Sequence, residues 1–159
     1  MSKTPDQPDQ PNAAIDPVIP EVPGDVTLER VRAALHERGE FLADLPESVL
    51  GEHDLHTYTV ALTGHYLNVT TRWSRTIPAP ARRAASQLVN DWNRDRIMPT
   101  LYSHAGEDGI GLSVRSSLST VVGATDRQLS DFIESSVVAA RHALRTLDTS
   151  VPRPPGPLQ

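Results

Sequence analysis

Apolar side chains recur along this chain with two different periods, and the period separates predicted helices from predicted strands. An apolar position every three or four residues predicts an amphipathic helix, and this spacing covers residues 28–38, 80–95 and 126–147. Short segments of alternating or clustered apolar residues between turn signals predict strands, and these cover residues 40–44, 56–62, 66–75, 100–104 and 110–122. The pattern therefore predicts the order α-β-β-β-α-β-β-α.

Turn and capping residues connect these segments. Thr63-Gly64 separates the second and third predicted strands, and Gly106-Glu107-Asp108-Gly109 separates the fourth and fifth, so each pair is predicted to be an antiparallel hairpin. Thr125 and Gln128 have the spacing of a capping box at the start of the last helix. Pro46 and Gly51 predict an irregular link after the first strand. Together these signals predict an α+β fold with a five-stranded antiparallel sheet and three helices.

Proline marks both ends of the chain. Residues 1–24 contain six prolines among acidic and amide residues, and residues 149–159 contain four. Such segments hold too few large apolar groups to offset the entropy of ordering them. The sequence therefore predicts two disordered, proline-rich tails and one folded domain at residues 25–148.

Three residues are predicted to anchor the core. Trp92 lies on the apolar stripe of the middle helix and Trp73 on the inward face of the third strand, so both are expected to be buried, as is Phe132 on the last helix. Asn93 lies off the stripe at a helix end, where its amide can bond to backbone carbonyl groups.

These features carry a resemblance. The element order, Trp92-Asn93 at the end of the middle helix, the Gly106–Gly109 turn and the Gly123-Ala124-Thr125 entry to the last helix resemble the YbjN family over about residues 26–148. The resemblance implies a compact domain with a fold similar to type III secretion chaperones, one that often pairs with itself. It also implies a role without known catalysis, described in places as sensory transduction regulation. Because the family has no agreed catalytic residues, none is carried over.

The patterns that could indicate a catalytic or metal-binding site are incomplete in this sequence. His53, Asp54 and His56 could approach one cation, but no third imidazole or thiolate is near them in sequence and the chain has no cysteine. No nucleophile elbow or phosphate-binding glycine loop is present, and the pair Asp91 and Asp95 is expected to be solvated. The sequence predicts no catalytic residue, cofactor or metal.

Charge and hydropathy restrict the partners. Residues 1–25 account for a formal net charge of −4, out of −5 for the whole chain. A near-neutral domain with an acidic arm argues against nucleic acid as the partner, which stays a minor alternative because Arg72, Arg75, Arg82 and Arg83 form one local basic group. The start of the chain lacks the apolar core of a signal peptide, and no apolar run approaches the roughly 18 residues that would span a bilayer. We therefore expect a cytoplasmic protein that does not enter a membrane.

Small residues on the last helix favour self-association. The last helix carries Phe132, Ser136, Ala139 and Ala143 beside its apolar stripe, and Arg115 lies on the polar face of the longest strand. Small residues allow a second helix or strand to approach closely, so these five residues are the predicted interaction surface. The first hypothesis is a non-enzymatic, chaperone-like or regulatory homodimer that binds an unknown protein segment. The alternatives are a sensory transduction or transcription-linked regulator acting through a partner, and a small hydrolase with a site assembled from dispersed serines and histidines.

Overall fold

Three helices pack on one face of a six-stranded antiparallel sheet in the computed structural model of the chain, which describes residues 20–106 and 108–153. The helices are α1 (Leu28–Glu37), α2 (Arg82–Arg94, preceded by a 3-10 turn at Ala79–Ala81) and α3 (Asp126–Ser150). The strands are β1 (Phe41–Leu45), β2 (Ser48–His53), β3 (His56–Thr63), β4 (Tyr66–Ile77), β5 (Thr100–Gly106) and β6 (Gly109–Ser119). The spatial order is β1-β2-β3-β4-β6-β5, and every neighbouring pair is antiparallel. The α+β class and the antiparallel sheet are confirmed.

The predicted number of five strands is wrong. Strand β2 occupies Ser48–His53, where an irregular link was expected, and it pairs with both β1 and β3. A glycine such as Gly51 is typical of an interruption between strands, but here packing within the sheet requires it. A Cβ at this position would lie 2.5 Å from a ring carbon of Tyr58, its partner on β3. The missing side chain therefore makes room for an aromatic ring within the sheet.

The core divides into two clusters on the helix-covered face. One lies under α1 and the first half of α3 and includes Val31, Leu35, Val60 and Ile133. The other lies under α2 and the second half of α3 and includes Trp73 and Trp92, each 5% exposed. Helix α3 crosses both clusters and so ties the two halves of the sheet together.

Hydrogen bonds from three core side chains connect α2, α3 and the sheet. The Trp92 indole donates to the carbonyl of Pro99 at 2.9 Å, and the Trp73 indole donates to Asp148 at 2.9 Å. The Asn93 amide donates to the carbonyl of Leu101 at 2.7 Å and accepts from its N–H at 2.9 Å. Both indole donors are therefore satisfied, and the end of α2 is fastened to the edge strand β5.

Specific contacts hold both ends of the described fold. Gly24 forms a two-hydrogen-bond bridge with Ala124, immediately before α3. At the other end, α3 continues two residues past the expected boundary at 148, and half-buried Val151 packs on the second core cluster. The predicted tails fall largely on residues 1–19 and 154–159, which lie outside the described residues. In the described part, no helix is both long and apolar enough to cross a membrane.

Candidate binding face of the sheet

The face of the sheet opposite the helices carries a polar groove. Strand alternation places polar side chains of β3, β4, β5 and β6 on this side, while their apolar neighbours enter the core. A groove of about 440 Å³ lies here. Its side-chain lining is Leu50, Thr57, Thr59, Ala61, Thr63, Asn68, Thr70, Arg72, Tyr102 and Arg115. We call this surface the open sheet face.

Arg115 is held in place by neutral groups at the centre of the open sheet face. Its Nε donates to the Thr70 hydroxyl at 3.3 Å, and its Nη2 donates to the Tyr102 hydroxyl at 3.3 Å. The guanidinium carbon also lies 4.9 Å from the centroid of the Tyr102 ring, within cation–π range. These contacts orient Arg115 and leave its positive charge without a counterion among them.

Arg72 is the second cation of this face. It is exposed and pairs with Ser113 of β6, while Thr70, two residues away, pairs with Arg115. The two arginines are thus diagonal neighbours on adjacent strands, a position about 7–8 Å apart in antiparallel sheets. The ion pairs of the described residues include neither of them.

The sequence contained a partial signal for this surface. The polar alternation of β6, with Arg115 among serines, was visible, as was that of Asn68, Thr70 and Arg72 on β4. The pairing of β4 with β6, which brings the two polar rows together, follows a long crossover through α2 and β5. No local pattern specifies that pairing, so the contribution of Arg72 was missed.

A serine and a histidine also meet on this side of the sheet. His104 Nε2 lies 3.1 Å from Ser113 Oγ, and its Nδ1 lies 3.3 Å from the carbonyl of Ala105. Ser113 is 1% exposed, and its strand is paired with neighbours on both sides, so its backbone N–H groups face the sheet ladders. A hydrolytic serine needs access to substrate and free donors for the oxyanion. The geometry of this pair therefore favours a structural hydrogen bond.

The predicted interaction surface does not exist as one patch. Arg115 lies on the open sheet face, whereas Phe132, Ser136, Ala139 and Ala143 lie on α3, on the opposite side. Ser136 is 1% exposed and Ala143 is fully buried, so the prediction that these two residues present a surface is wrong. Helix α3 packs against both α1 and the sheet, and its buried face is therefore wider than a single stripe. Phe132, expected to be largely buried, is half-buried like Ala139.

A buried ionic cluster lies at the β1–β3 end of the core. The Glu40 side chain is 7% exposed and accepts hydrogen bonds from Arg38, His53 and the Tyr58 hydroxyl, at 2.8 Å, 2.8 Å and 2.6 Å. Burial acts to raise the pKa of Glu40, but the three hydrogen bonds outweigh it and hold that pKa below the ordinary value. Burial, together with the bond to Glu40, raises the pKa of Tyr58. No sequence motif indicated this cluster, because its members come from three separate elements.

The suspected metal ligands belong to the edge of that cluster. His53 Nδ1 faces Glu40, and Asp54 forms an ion pair with Arg141 of α3 at 2.9 Å. His56 is exposed opposite His53 in the β2–β3 hairpin. Within residues 20–106 and 108–153, no three histidine or carboxylate side chains converge as metal ligands do.

The basic group predicted from sequence is divided between two faces of the sheet. Arg75 donates to the carbonyls of Val151 and Pro152 at 3.0 Å and 2.8 Å, and its guanidinium lies 4.7 Å from the Trp73 ring centroid. Arg72 lies on the open sheet face instead. The two residues therefore do not form one phosphate-binding patch.

The fold and its open face define a small α+β domain in which helices cover one side of a sheet and leave the other accessible. A family model described as "Putative bacterial sensory transduction regulator", that of the YbjN family, matches residues 27–148, and the chain belongs to this family. The structure is also similar to the crystal structure of YbjN from E. coli, described as "a putative transcription regulator". The TM-score is 0.67 at 14% sequence identity, and the match covers 79% of this chain and 96% of that chain. This likeness shows the fold alone. Comparison with curated proteins found no match.

Proposed function

We propose that the chain is a non-enzymatic regulatory domain that acts by binding another protein through the open sheet face. The observation that carries the proposal is the accessible groove on this face, while α1, α2 and α3 all pack on the other side of the sheet. The family description as a sensory transduction regulator supports the same role. A regulator without a reaction of its own must transmit its signal through contacts, and the open sheet face offers a groove of about 440 Å³ for them.

The chemistry of the groove supports binding over catalysis. Its polar groups are held by one another: the Ser117 hydroxyl donates to Asn68 at 2.7 Å, and Arg115 is held by Thr70 and Tyr102. Such mutual hydrogen bonds fix donors and acceptors in place, which suits recognition of a segment that lies across them. The His104–Ser113 pair, on which a hydrolase would depend, has a buried hydroxyl.

A chaperone-like domain of this type is also proposed to form a cytoplasmic homodimer. A second, more apolar groove of about 280 Å³ lies between α2 and the end of α3, lined by Ala81, Ala84, Leu88, Val151 and neighbouring residues. An exposed apolar groove beside a helix suits a second copy of the chain, because two-fold pairing is the commonest form of self-association. The dimer would leave the open sheet face available to the regulated partner.

The test is capture of a partner from the native cell with matched bait proteins. Thr59 is half-buried in the middle of the groove, so Thr59→Trp would fill it while keeping a residue that strands accept. The control is Ala33→Trp on the exposed side of α1. We expect one protein to be captured in comparable amount by the wild type and the control and to be lost with Thr59→Trp. A partner captured equally by all three baits would contradict binding through this face.

A transcription-linked regulator is the second candidate, and the description of the E. coli neighbour favours it. The same capture experiment separates the two candidates. A transcription-linked regulator would capture a DNA-binding protein or an RNA polymerase subunit, whereas a sensory transduction regulator would capture a sensor or receiver protein. A hydrolase would instead lose activity on Ser113→Ala without any change in partner capture.

A further inference from the structure

We propose that Arg72 and Arg115 form an anion subsite on the open sheet face, and that it receives carboxylate side chains of an extended segment of the partner protein. The inference rests on the proposed function and gives the chemistry of the partner. Its starting point is the diagonal placement of two cations on neighbouring strands.

Two positive charges at diagonal sheet positions repel each other. At a separation of about 7–8 Å the repulsion is modest in water and grows when a ligand excludes solvent. Several other arginines of the described structure have a carboxylate partner, among them Arg30 with Asp126, Arg32 with Asp44, Arg38 with Glu40 and Arg141 with Asp54. Arg72 and Arg115 have no such partner among the ion pairs of the described residues. A carboxylate of the bound segment would supply the counterion.

The donors that remain are suited to a carboxylate. Thr70 and Tyr102 engage Nε and Nη2 of Arg115, so Nη1 stays available, and the exposed guanidinium of Arg72 offers a complete planar edge. Guanidinium edges bind carboxylates with two parallel hydrogen bonds. Because Arg115 is already oriented by its neighbours, little side-chain entropy is lost when it binds.

The shape of the groove favours an extended chain. It crosses from Leu50 on β2 to Tyr102 on β5, which spans five neighbouring strands. At about 4.8 Å between strands this is roughly 19 Å, the length of about six extended residues. Arg72 and Arg115 lie on β4 and β6, whereas Leu50 and Ala61 lie on β2 and β3, towards the opposite side of the groove. The fitting segment therefore has acidic residues at one end and an apolar side chain about four to five positions away.

The same features argue against a nucleic acid. Only two arginines face the groove, whereas a phosphate backbone is bound through a series of cations. Single strands also need accessible aromatic faces for stacking, and Arg115 already lies over the Tyr102 ring. The hydroxyl groups of Thr57, Thr59 and Thr63 along the groove match peptide groups instead.

Fluorescence anisotropy with the full chain tests this assignment. The probes are two fluorescein-labelled peptides, Leu-Ser-Gly-Ser-Glu-Glu and its reverse, with matched peptides that carry glutamine in place of glutamate. We expect an acidic peptide to bind at least about tenfold more tightly than its glutamine form, with an affinity that falls as salt is added. Arg72→Gln and Arg115→Gln should each weaken binding by about tenfold, because each removes charge-assisted hydrogen bonds. Arg83→Gln, on the exposed side of α2, should leave it unchanged.

Three results would overturn the assignment. These are equal binding of the acidic and glutamine peptides, binding of a single-stranded oligonucleotide in their place, and a change of oligomeric state in Arg115→Gln, which would mean that a second copy occupies the face. Arg115→Lys keeps the charge and should retain binding in part, so a folding defect in Arg115→Gln can be recognised.

If the acidic peptides fail to bind while Thr59→Trp still abolishes partner capture, the subsite is wrong and the proposed function stands. If Thr59→Trp leaves capture intact, the proposed function fails.

Discussion

The hydroxyl of Tyr58 donates a 2.6 Å hydrogen bond to Oε2 of Glu40, although the two residues are 18 positions apart in the chain. Both are buried, and Arg38 and His53 complete the coordination of the carboxylate. A buried charge is tolerated only when it is paired and hydrogen-bonded. The cluster therefore fixes how the β1–β3 end of the sheet meets α1.

Tyr58→Phe should lower the free energy of unfolding by about 1–3 kcal/mol, because a buried carboxylate loses one of its donors while the ring is kept. Urea denaturation measures the change. The matched control is Tyr66→Phe, since Tyr66 is 54% exposed and the substitution there should be close to neutral. Equal effects at the two positions would mean that the Glu40 bond adds nothing.

The cluster also predicts a pH dependence of stability. The pKa of Glu40 is held below its ordinary value of 4.5 by its hydrogen-bond donors, against the effect of burial. A carboxyl with a lowered folded pKa contributes stability above its unfolded pKa, and that contribution is lost as the pH falls through the folded pKa. We expect the free energy of unfolding to decrease below about pH 4.5 and this decrease to be smaller in Glu40→Gln. Glu47→Gln, at an exposed turn position, should retain the wild-type slope.

Asn93→Ala should loosen the edge strand β5 specifically. The amide makes hydrogen bonds with both the carbonyl and the N–H of Leu101, so its removal leaves two backbone groups unpaired. We expect a loss of about 1–3 kcal/mol and faster hydrogen exchange at the Leu101 amide. Asn90→Ala on the exposed side of α2 serves as the control. Unchanged exchange at Leu101 would contradict the fastening of β5 by α2.

Arg30→Gln should release the start of the folded part. The guanidinium donates to the carbonyls of Gly24, Asp25 and Ala124 and to the carboxylate of Asp126, at 2.7–3.0 Å. It therefore stabilises the Gly24–Ala124 bridge, and its loss should speed proteolysis near Gly24. Deletion of residues 1–19 leaves the Arg30 hydrogen bonds and the Gly24–Ala124 bridge in place, so it should shift the melting temperature by no more than a few degrees. Deletion of residues 1–24, in contrast, removes Gly24 from the bridge.

The sequence predicted the elements whose signals are local. The stripe that buries Trp92, the capping box at Thr125 and the hairpin at Thr63-Gly64 all depend on residues close in the chain, and the structure contains all three. Strand β2 has no such local signal, because a glycine such as Gly51 ordinarily indicates a break in a strand. The ring of Tyr58, which requires the glycine, lies on the next strand.

The candidate site was less accessible to prediction than the fold. Arg115 was chosen from the polar alternation of its own strand, but its neighbours Arg72 and Tyr102 come from β4 and β5 and meet it only through the sheet order. On α3, Ser136 and Ala143 were assigned to a surface because small residues are accepted both in cores and at interfaces. Whether such a residue lies in the core or at an interface depends on how α3 packs on the two core clusters. That packing is a tertiary property, which the local sequence does not specify.

Self-association can be tested through the apolar groove between α2 and the end of α3. Ala84 is exposed on α2, and Leu88, Ala81 and half-buried Val151 line the same groove, so a second copy would bury these side chains. We expect light scattering to detect a species of twice the 17.3 kDa chain mass at micromolar concentration. Ala84→Glu should shift it to the monomer, because an unpaired carboxylate would be buried at the interface. Arg83→Glu, the neighbouring substitution outside the groove lining, should leave the dimer intact. A single 17.3 kDa species that persists over about a tenfold rise in concentration would contradict the dimer, since association follows mass action.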